Sequence, residues 1–188
     1  MTSNGILVLA GPPCAGKSSV AKMLATDSSG SRRIYIEVDS LFSLLLPESD
    51  RNRNDRMLAY DGAHLLARML FERGLTPMLE CTYSRLEQRA SLLKAMADCP
   101  TAPVWVVEFF VSPDDAVQRF RRRHQATDLD EELVRERAET FPYSDQALRV
   151  VSSAAAPDDL ARQITTWLGH QPESIQPDVW AEAGKGWD

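Results

Sequence analysis

Between Gly11 and Ser18 the chain reads Gly-Pro-Pro-Cys-Ala-Gly-Lys-Ser, a match to G-x-x-x-x-G-K-[ST]. A buried-strand pattern, Gly5–Ala10, precedes it, and a helical pattern from about Lys17 to Thr26 follows. Strand, Gly-rich turn and helix in that order build an anion cradle: glycines let the backbone turn sharply, its N–H groups point inward, and the helix N-terminus adds its dipole. Gly11, Pro12, Pro13, Cys14, Ala15, Gly16, Lys17, Ser18 and Ser19 are therefore the expected nucleotide-binding residues. Lys17 is expected at the β- and γ-phosphate oxygens of ATP and Ser18 on a Mg²⁺ ion.

The remaining elements follow from periodicity. Short apolar runs alternate with amphipathic ones, the rhythm of a parallel α/β fold. Strands are expected at Arg33–Val38, Thr76–Cys81, Val104–Val111 and Ala147–Val151. Pro77 is tolerable near a strand start although it cannot donate to the ladder. Helices are expected at about Asn54–Arg73, stopped by Gly74 and showing Leu58, Leu65, Leu66, Met69 and Leu70 at helical spacing. Others are expected at Arg85–Ala97 and Pro157–Leu168, and from a Ser112-Pro113 start onward through Arg119, Arg121, Arg122 and Arg123. Asp128-Leu129-Asp130-Glu131 reads as a capping box opening a further short helix. The expected architecture is a three-layer α/β/α P-loop NTPase sandwich with a five-stranded parallel sheet, order 2-3-1-4-5, and a small helical lid at about 113–140. Residues 1–169 form this domain, and 170–188 read as a tail whose Trp180 and Trp187 could dock onto the body.

Charge and cysteine use narrow the partners. With 21 basic and 27 acidic residues the chain has a formal charge of −6, which disfavours broad nucleic-acid binding. The three cysteines, Cys14, Cys81 and Cys99, show no metal-ligand spacing and read as reduced thiols of a cytoplasmic protein. The first residues lack a basic region followed by a long apolar stretch, so no signal peptide is expected. No apolar run approaches the roughly 20 residues that span a bilayer. The oligomeric state is open. No guanine-reading N-K-x-D string occurs, and a large AAA or transporter ATPase exceeds this length, whereas kinases of nucleoside-phosphate-kinase size fit it.

Val38-Asp39-Ser40-Leu41 resembles the corresponding segment of chloramphenicol phosphotransferase-like kinases. The stretch Glu72–Gln88 resembles the wider group of P-loop kinases with polynucleotide-kinase-like and zeta-toxin-like members. That group usually has an acid, a small residue and Thr at the end of the third strand; here these are Glu80-Cys81-Thr82, where aspartate is common at the first position. The resemblance spans about residues 5–168. It implies an ATP-dependent phosphotransferase whose acceptor is a hydroxyl of a small metabolite or antibiotic, with a nucleotide sugar second and a polynucleotide 5′-hydroxyl third. An ATP-binding regulatory protein without an acceptor is the reading of a different class.

Individual residues then take expected roles. A carboxylate at a strand end beside the P-loop strand faces the ligand crevice of an open α/β sheet, which makes Asp39 the candidate base for the acceptor hydroxyl; a helix cap and a metal-shell ligand are its alternatives. Glu80 is expected either to orient Mg²⁺ or to serve the acceptor, and Thr82 lies beside it. Arg119 and Arg123, four apart on one expected helix face, are the candidate lid pair for charge on the transferring phosphoryl; Arg135 and Arg137 are second choices. Arg53 and Arg56 lie where an acceptor would enter. No histidine is assigned a role.

Overall fold

The computed structural model describes residues 4–26, 32–123 and 129–187. Its five parallel strands are β1 (Ile6–Ala10), β2 (Arg33–Glu37), β3 (Thr76–Glu80), β4 (Val104–Phe110) and β5 (Leu148–Val151), in the order β2-β3-β1-β4-β5. The helices are α1 (Lys17–Thr26), α2 (Val38–Leu45), α3 (Arg53–Glu72), α4 (Leu86–Met96), α5 (Pro113–Arg121), α6 (Glu131–Thr140), α7 (Pro157–Gly169) and α8 (Pro177–Glu182). Fold class and strand order are those expected from the sequence.

Period-2 alternation divides the core between the two faces of the sheet. In β1 every residue is fully buried. Ile6, Val8 and Ala10 join a cluster with Ala59, Ala63 and Leu92, while Leu7 and Leu9 join one with Val20, Val117 and Ile164. A strand buried on both faces has no polar side, which is why β1 reads as a continuous apolar run.

Three expectations are corrected. The second strand stops at Glu37, and Val38 already opens α2, an element not foreseen. Val38 and Phe42 are its buried residues, one turn apart, and Leu44 and Leu45 remain exposed. Second, the inner face of α3 is Ala59, Tyr60, Ala63, His64 and Ala67. Leu66 and Leu70 are half-buried, whereas Leu58 and Leu65 are 54% and 52% exposed. Small alanines let α3 approach the sheet closely and push the leucine stripe outward. Third, α5 ends at Arg121, so Arg119 and Arg123 do not share a helix face.

Capping is mostly as read. Ser112 accepts the Asp115 N–H with Pro113 in the first turn of α5. Gly74 takes φ +78° and closes α3. Asp130 caps α6 by accepting the Leu133 N–H at 2.8 Å; Asp128 lies outside the described residues.

After α7 the chain crosses back over the body. Ile175 N–H donates to Val104 O, and Trp105 Nε1 donates to Pro172 O, both at 3.0 Å. Trp180 of α8 is fully buried beside Tyr83 and Arg89. The Arg89 guanidinium, itself fully buried, donates to the carbonyls of Tyr83, Trp180 and Pro142 at 2.7–2.8 Å and lies 3.6 Å from the Glu108 carboxylate. One side chain thereby ties three distant segments together. Among the described residues no helix is long and apolar enough to cross a membrane.

Candidate active site

The strands β1, β2 and β3 end side by side, with Leu9 paired to Glu80 and Glu80 to Glu37. A cleft of about 400 Å³ opens beyond these ends. The chain leaves β1 toward β2 on one side and reaches β4 on the other, so the cleft sits where ligands bind in open α/β sheets.

Gly11 starts the turn at φ +150°, and a Cβ there would stand 2.9 Å from Phe109 O, so only glycine fits. Its N–H donates to Thr82 O at 3.1 Å, which couples the turn to the end of β3. Cys14 adopts φ +62° and Gly16 φ +86°, aligning successive amides as an anion nest does. Holding a non-glycine residue in that region costs about 1–3 kcal/mol, a strain typical of functional turns. Lys17 is 8% exposed, and its Nζ donates to Gly11 O and Pro12 O at 3.0 Å each. The ammonium thus lies folded across the turn, held by carbonyls that a phosphate oxygen can replace.

Glu80 is the hub beneath this turn. It accepts Ser18 Oγ at 3.1 Å and Tyr35 Oη at 3.0 Å, with Lys17 Nζ at 3.9 Å. Burial raises its pKa, opposed first by the Lys17 charge and then by the two hydroxyl donors. Tyr35 is held protonated well above its ordinary range, first by burial and then by the Glu80 charge. Among the described residues no group of three or more His, Cys, Asp or Glu gathers as a metal cage. Ser18 and Glu80 instead offer two hard oxygen donors, the sparse set that suits Mg²⁺, which keeps waters and substrate phosphates in its shell.

Asp39 is the second residue of α2 rather than its cap; the cap position is Glu37, whose carboxylate accepts Ser40 Oγ at 2.6 Å. Asp39 is exposed and lines the cleft. Burial, then the Asp39 charge, raise the pKa of the Cys81 thiol, which accepts the Tyr60 hydroxyl at 2.9 Å.

The other candidates distribute as follows. Pro13, Cys14, Lys17, Ser18, Glu80, Thr82, Arg53, Arg56 and Arg123 all line the cleft. Arg53 also holds Glu87 through both Nε and Nη2, and Arg56 Nε donates to Arg51 O at 2.7 Å. Gly11, Pro12 and Ala15 are buried behind the turn, Gly16 is half-buried, and Ser19 is exposed on α1. Arg119 does not line the cleft: it donates to Cys14 O at 3.2 Å and to Ser152 O at 2.6 Å, bracing the turn from outside. Arg135 pairs with Asp114 and Arg121 with Glu131, joining α5 to α6, whereas Arg137 reaches the cleft.

Sequence reasoning missed Glu37, Tyr35, Arg85 and Trp187. Glu37 lies one residue before the expected strand end, and Tyr35 reads only as an alternating strand residue. Arg85 reads only as a helix start, and nothing in the tail indicates where Trp187 docks.

Residues 6–144 match the profile of a family described as AAA domain. No curated protein matches the chain by sequence. Several solved structures share the fold. A sugar kinase from Janibacter sp. superposes with a TM-score of 0.65 at 15% identity, covering 94% of this chain and 98% of that one. An APS kinase from Mycobacterium tuberculosis, solved with AMPPNP and APS, gives 0.69 at 17% identity over 90% and 99%. A tunicamycin resistance protein from Deinococcus radiodurans gives 0.64 at 17% identity over 89% and 96%.

Proposed function

This chain belongs to the AAA-domain family of P-loop proteins, and from that premise we propose that it is a kinase moving the γ-phosphoryl group of ATP onto a hydroxyl of a small molecule, with Mg²⁺ as cofactor. One observation carries the reading: a phosphate nest, a buried lysine, a Ser–Glu oxygen pair and an exposed carboxylate, Asp39, border a single cleft. The kinase folds that superpose on the chain support it.

In this mechanism the amides from Cys14 to Ser18 and the Lys17 ammonium hold the triphosphate, Lys17 giving up its two carbonyl partners to do so. Ser18 and Glu80 would hold Mg²⁺, which supplies charge neutralisation between the β- and γ-phosphates. Thr82, Arg53 and Arg56 position the acceptor. Asp39 accepts the proton as the acceptor oxygen bonds to the γ-phosphorus and the bond to the β-bridging oxygen breaks. The products are a phosphorylated acceptor and ADP, with the proton on Asp39. Arg123 meets the charge spreading over the phosphoryl oxygens, and Arg119 holds the nest in shape through Cys14 O.

Asp39→Asn tests the assignment. With an acceptor identified from hydroxylated metabolites and antibiotics by γ-labelled ATP, transfer is expected to fall about 10²–10⁴-fold, with ATP affinity unchanged. Unchanged transfer in that variant removes Asp39 from the mechanism. ATP-dependent partner binding with no labelled acceptor would favour a nucleotide-gated regulator instead.

A further inference from the structure

The charge around the cleft is opposite to that of the chain. The protein carries a formal −6, yet the cleft is bordered by seven lysine and arginine side chains against four carboxylates. Lys17 belongs to the phosphate nest and Arg123 follows α5. The other five are Arg51 from the loop before α3, Arg53 and Arg56 from the start of α3, Arg85 at the cap of α4 and Arg137 in the body of α6. The carboxylates are engaged: Glu87 is gripped by Arg53 and lies 3.9 Å from Arg85 Nη1, Glu37 takes the Ser40 hydroxyl, Glu80 holds Ser18 and Tyr35, and Asp39 faces the reaction. Outside the nest and Glu80, six arginines border the cleft with the three carboxylates Glu37, Asp39 and Glu87.

Two of those arginines converge on one indole. The Cζ atoms of Arg85 and Arg137 lie 5.9 Å and 5.7 Å from the Trp187 ring centroid. The indole is fixed, because Trp187 Nε1 donates to Thr140 Oγ1 at 3.0 Å and Leu86 N–H donates to Gly184 O at 3.0 Å. At Gly184 the backbones touch: a Cβ there would stand 2.7 Å from Leu86 N. The C-terminal segment is thus pressed onto the start of α4 so that Trp187 becomes part of the cleft wall. A guanidinium held over an aromatic face still presents its N–H donors along its own edges, in the fork that matches a phosphate, sulfate or carboxylate.

Resting on the kinase reading, we propose that the acceptor is an anionic small molecule, and that Arg85 and Arg137, ordered on Trp187, bind its phosphate, sulfate or carboxylate group at a subsite separate from the triphosphate. The subsite joins α4, α6 and the C-terminal segment. The segment after α7 is then part of the specificity apparatus.

The test fills the nucleotide site with Mg²⁺ and AMPPNP, then titrates sodium sulfate at constant ionic strength set with chloride. Trp187 is read as the fluorescence of the unmodified protein minus that of Trp187→Phe. A saturable Trp187 response in the millimolar range is expected, weakened about tenfold or more in Arg85→Ala/Arg137→Ala. Arg85→Lys/Arg137→Lys, which keeps charge but loses the fork, is expected to fall between the two and guards against a misfolded alanine variant. No saturable response, or one unchanged in the alanine variant, overturns the subsite while leaving the kinase reading standing, provided AMPPNP binds. Failure of AMPPNP to bind overturns both.

Discussion

Replacing Arg89 by methionine should destabilise the protein severely, and more so as pH rises. The guanidinium is fully buried beside a fully buried Glu108, which also accepts the Ser144 N–H at 2.8 Å. Burial lowers the Arg89 pKa to about 10, resisted by the Glu108 charge, so the group is cationic at neutral pH. Methionine restores most of the apolar volume but leaves a buried carboxylate without its cation and three carbonyls without their donor. Breaking a buried pair from one side costs about 3–5 kcal/mol, which for a chain of this length lowers Tm by roughly 6–20 °C. Glu108 already has its pKa raised by burial, partly offset by the Ser144 N–H and Arg89. Without Arg89 its pKa climbs further. A carboxyl with a raised folded-state pKa favours the fold below its unfolded pKa and loses that contribution as pH rises through the folded value. The deficit should therefore be larger at pH 8 than at pH 5, and Arg89→Met/Glu108→Gln should recover much of it. Urea unfolding followed by tryptophan fluorescence at both pH values measures this. A loss under about 1 kcal/mol at pH 8, or one independent of pH, would refute the reasoning.

Two further outcomes follow from the same geometry. His64 is buried with Nδ1 2.8 Å from Ser91 Oγ and Nε2 2.9 Å from Tyr83 Oη, and burial lowers its pKa to about 3. A depressed histidine stabilises the fold above its unfolded pKa of about 6.5 and loses that contribution as pH falls toward 3. The native protein should thus lose about 3 kcal/mol between pH 6.5 and 4 that His64→Gln does not lose, read as the difference between their unfolding curves. Gly11→Ala should abolish AMPPNP binding in calorimetry while leaving far-UV circular dichroism intact, because the added Cβ meets Phe109 O of β4 where the chain enters the turn and displaces it.

Local chemistry and periodicity were readable where one residue type answers one demand. Gly11, Gly16 and Lys17 announce the nest because few other residues can adopt or fill it, and β1 announces itself by having no polar side. Alternating element types indicated a parallel α/β class, and the strand order was expected from the P-loop architecture. α2 escaped notice because Val38-Asp39-Ser40-Leu41 reads equally as a strand end and a turn, and only packing of Phe42 under the cleft decides it. The leucine stripe of α3 misled because volume, not hydrophobicity, chose its inner face: alanines admit the close approach that leucines forbid. Tyr35, Arg85 and Trp187 were invisible because their contacts lie across 45, 102 and 47 residues of chain, to Glu80, Trp187 and Thr140 respectively. The placement of the C-terminal segment rests on Arg89 and Gly184, neither of which carries a local signal of that role.

The central claim is that this cleft carries the γ-phosphoryl group of ATP to an alcohol. Its most direct test incubates the protein with γ-labelled MgATP and a library of hydroxylated metabolites, anionic and neutral, and counts label in each compound for the native chain and for Lys17→Ala. The expected result is label on a narrow class of anionic alcohols, lost in the variant. Label recovered only as inorganic phosphate, at a rate indifferent to every alcohol in the library, would contradict it.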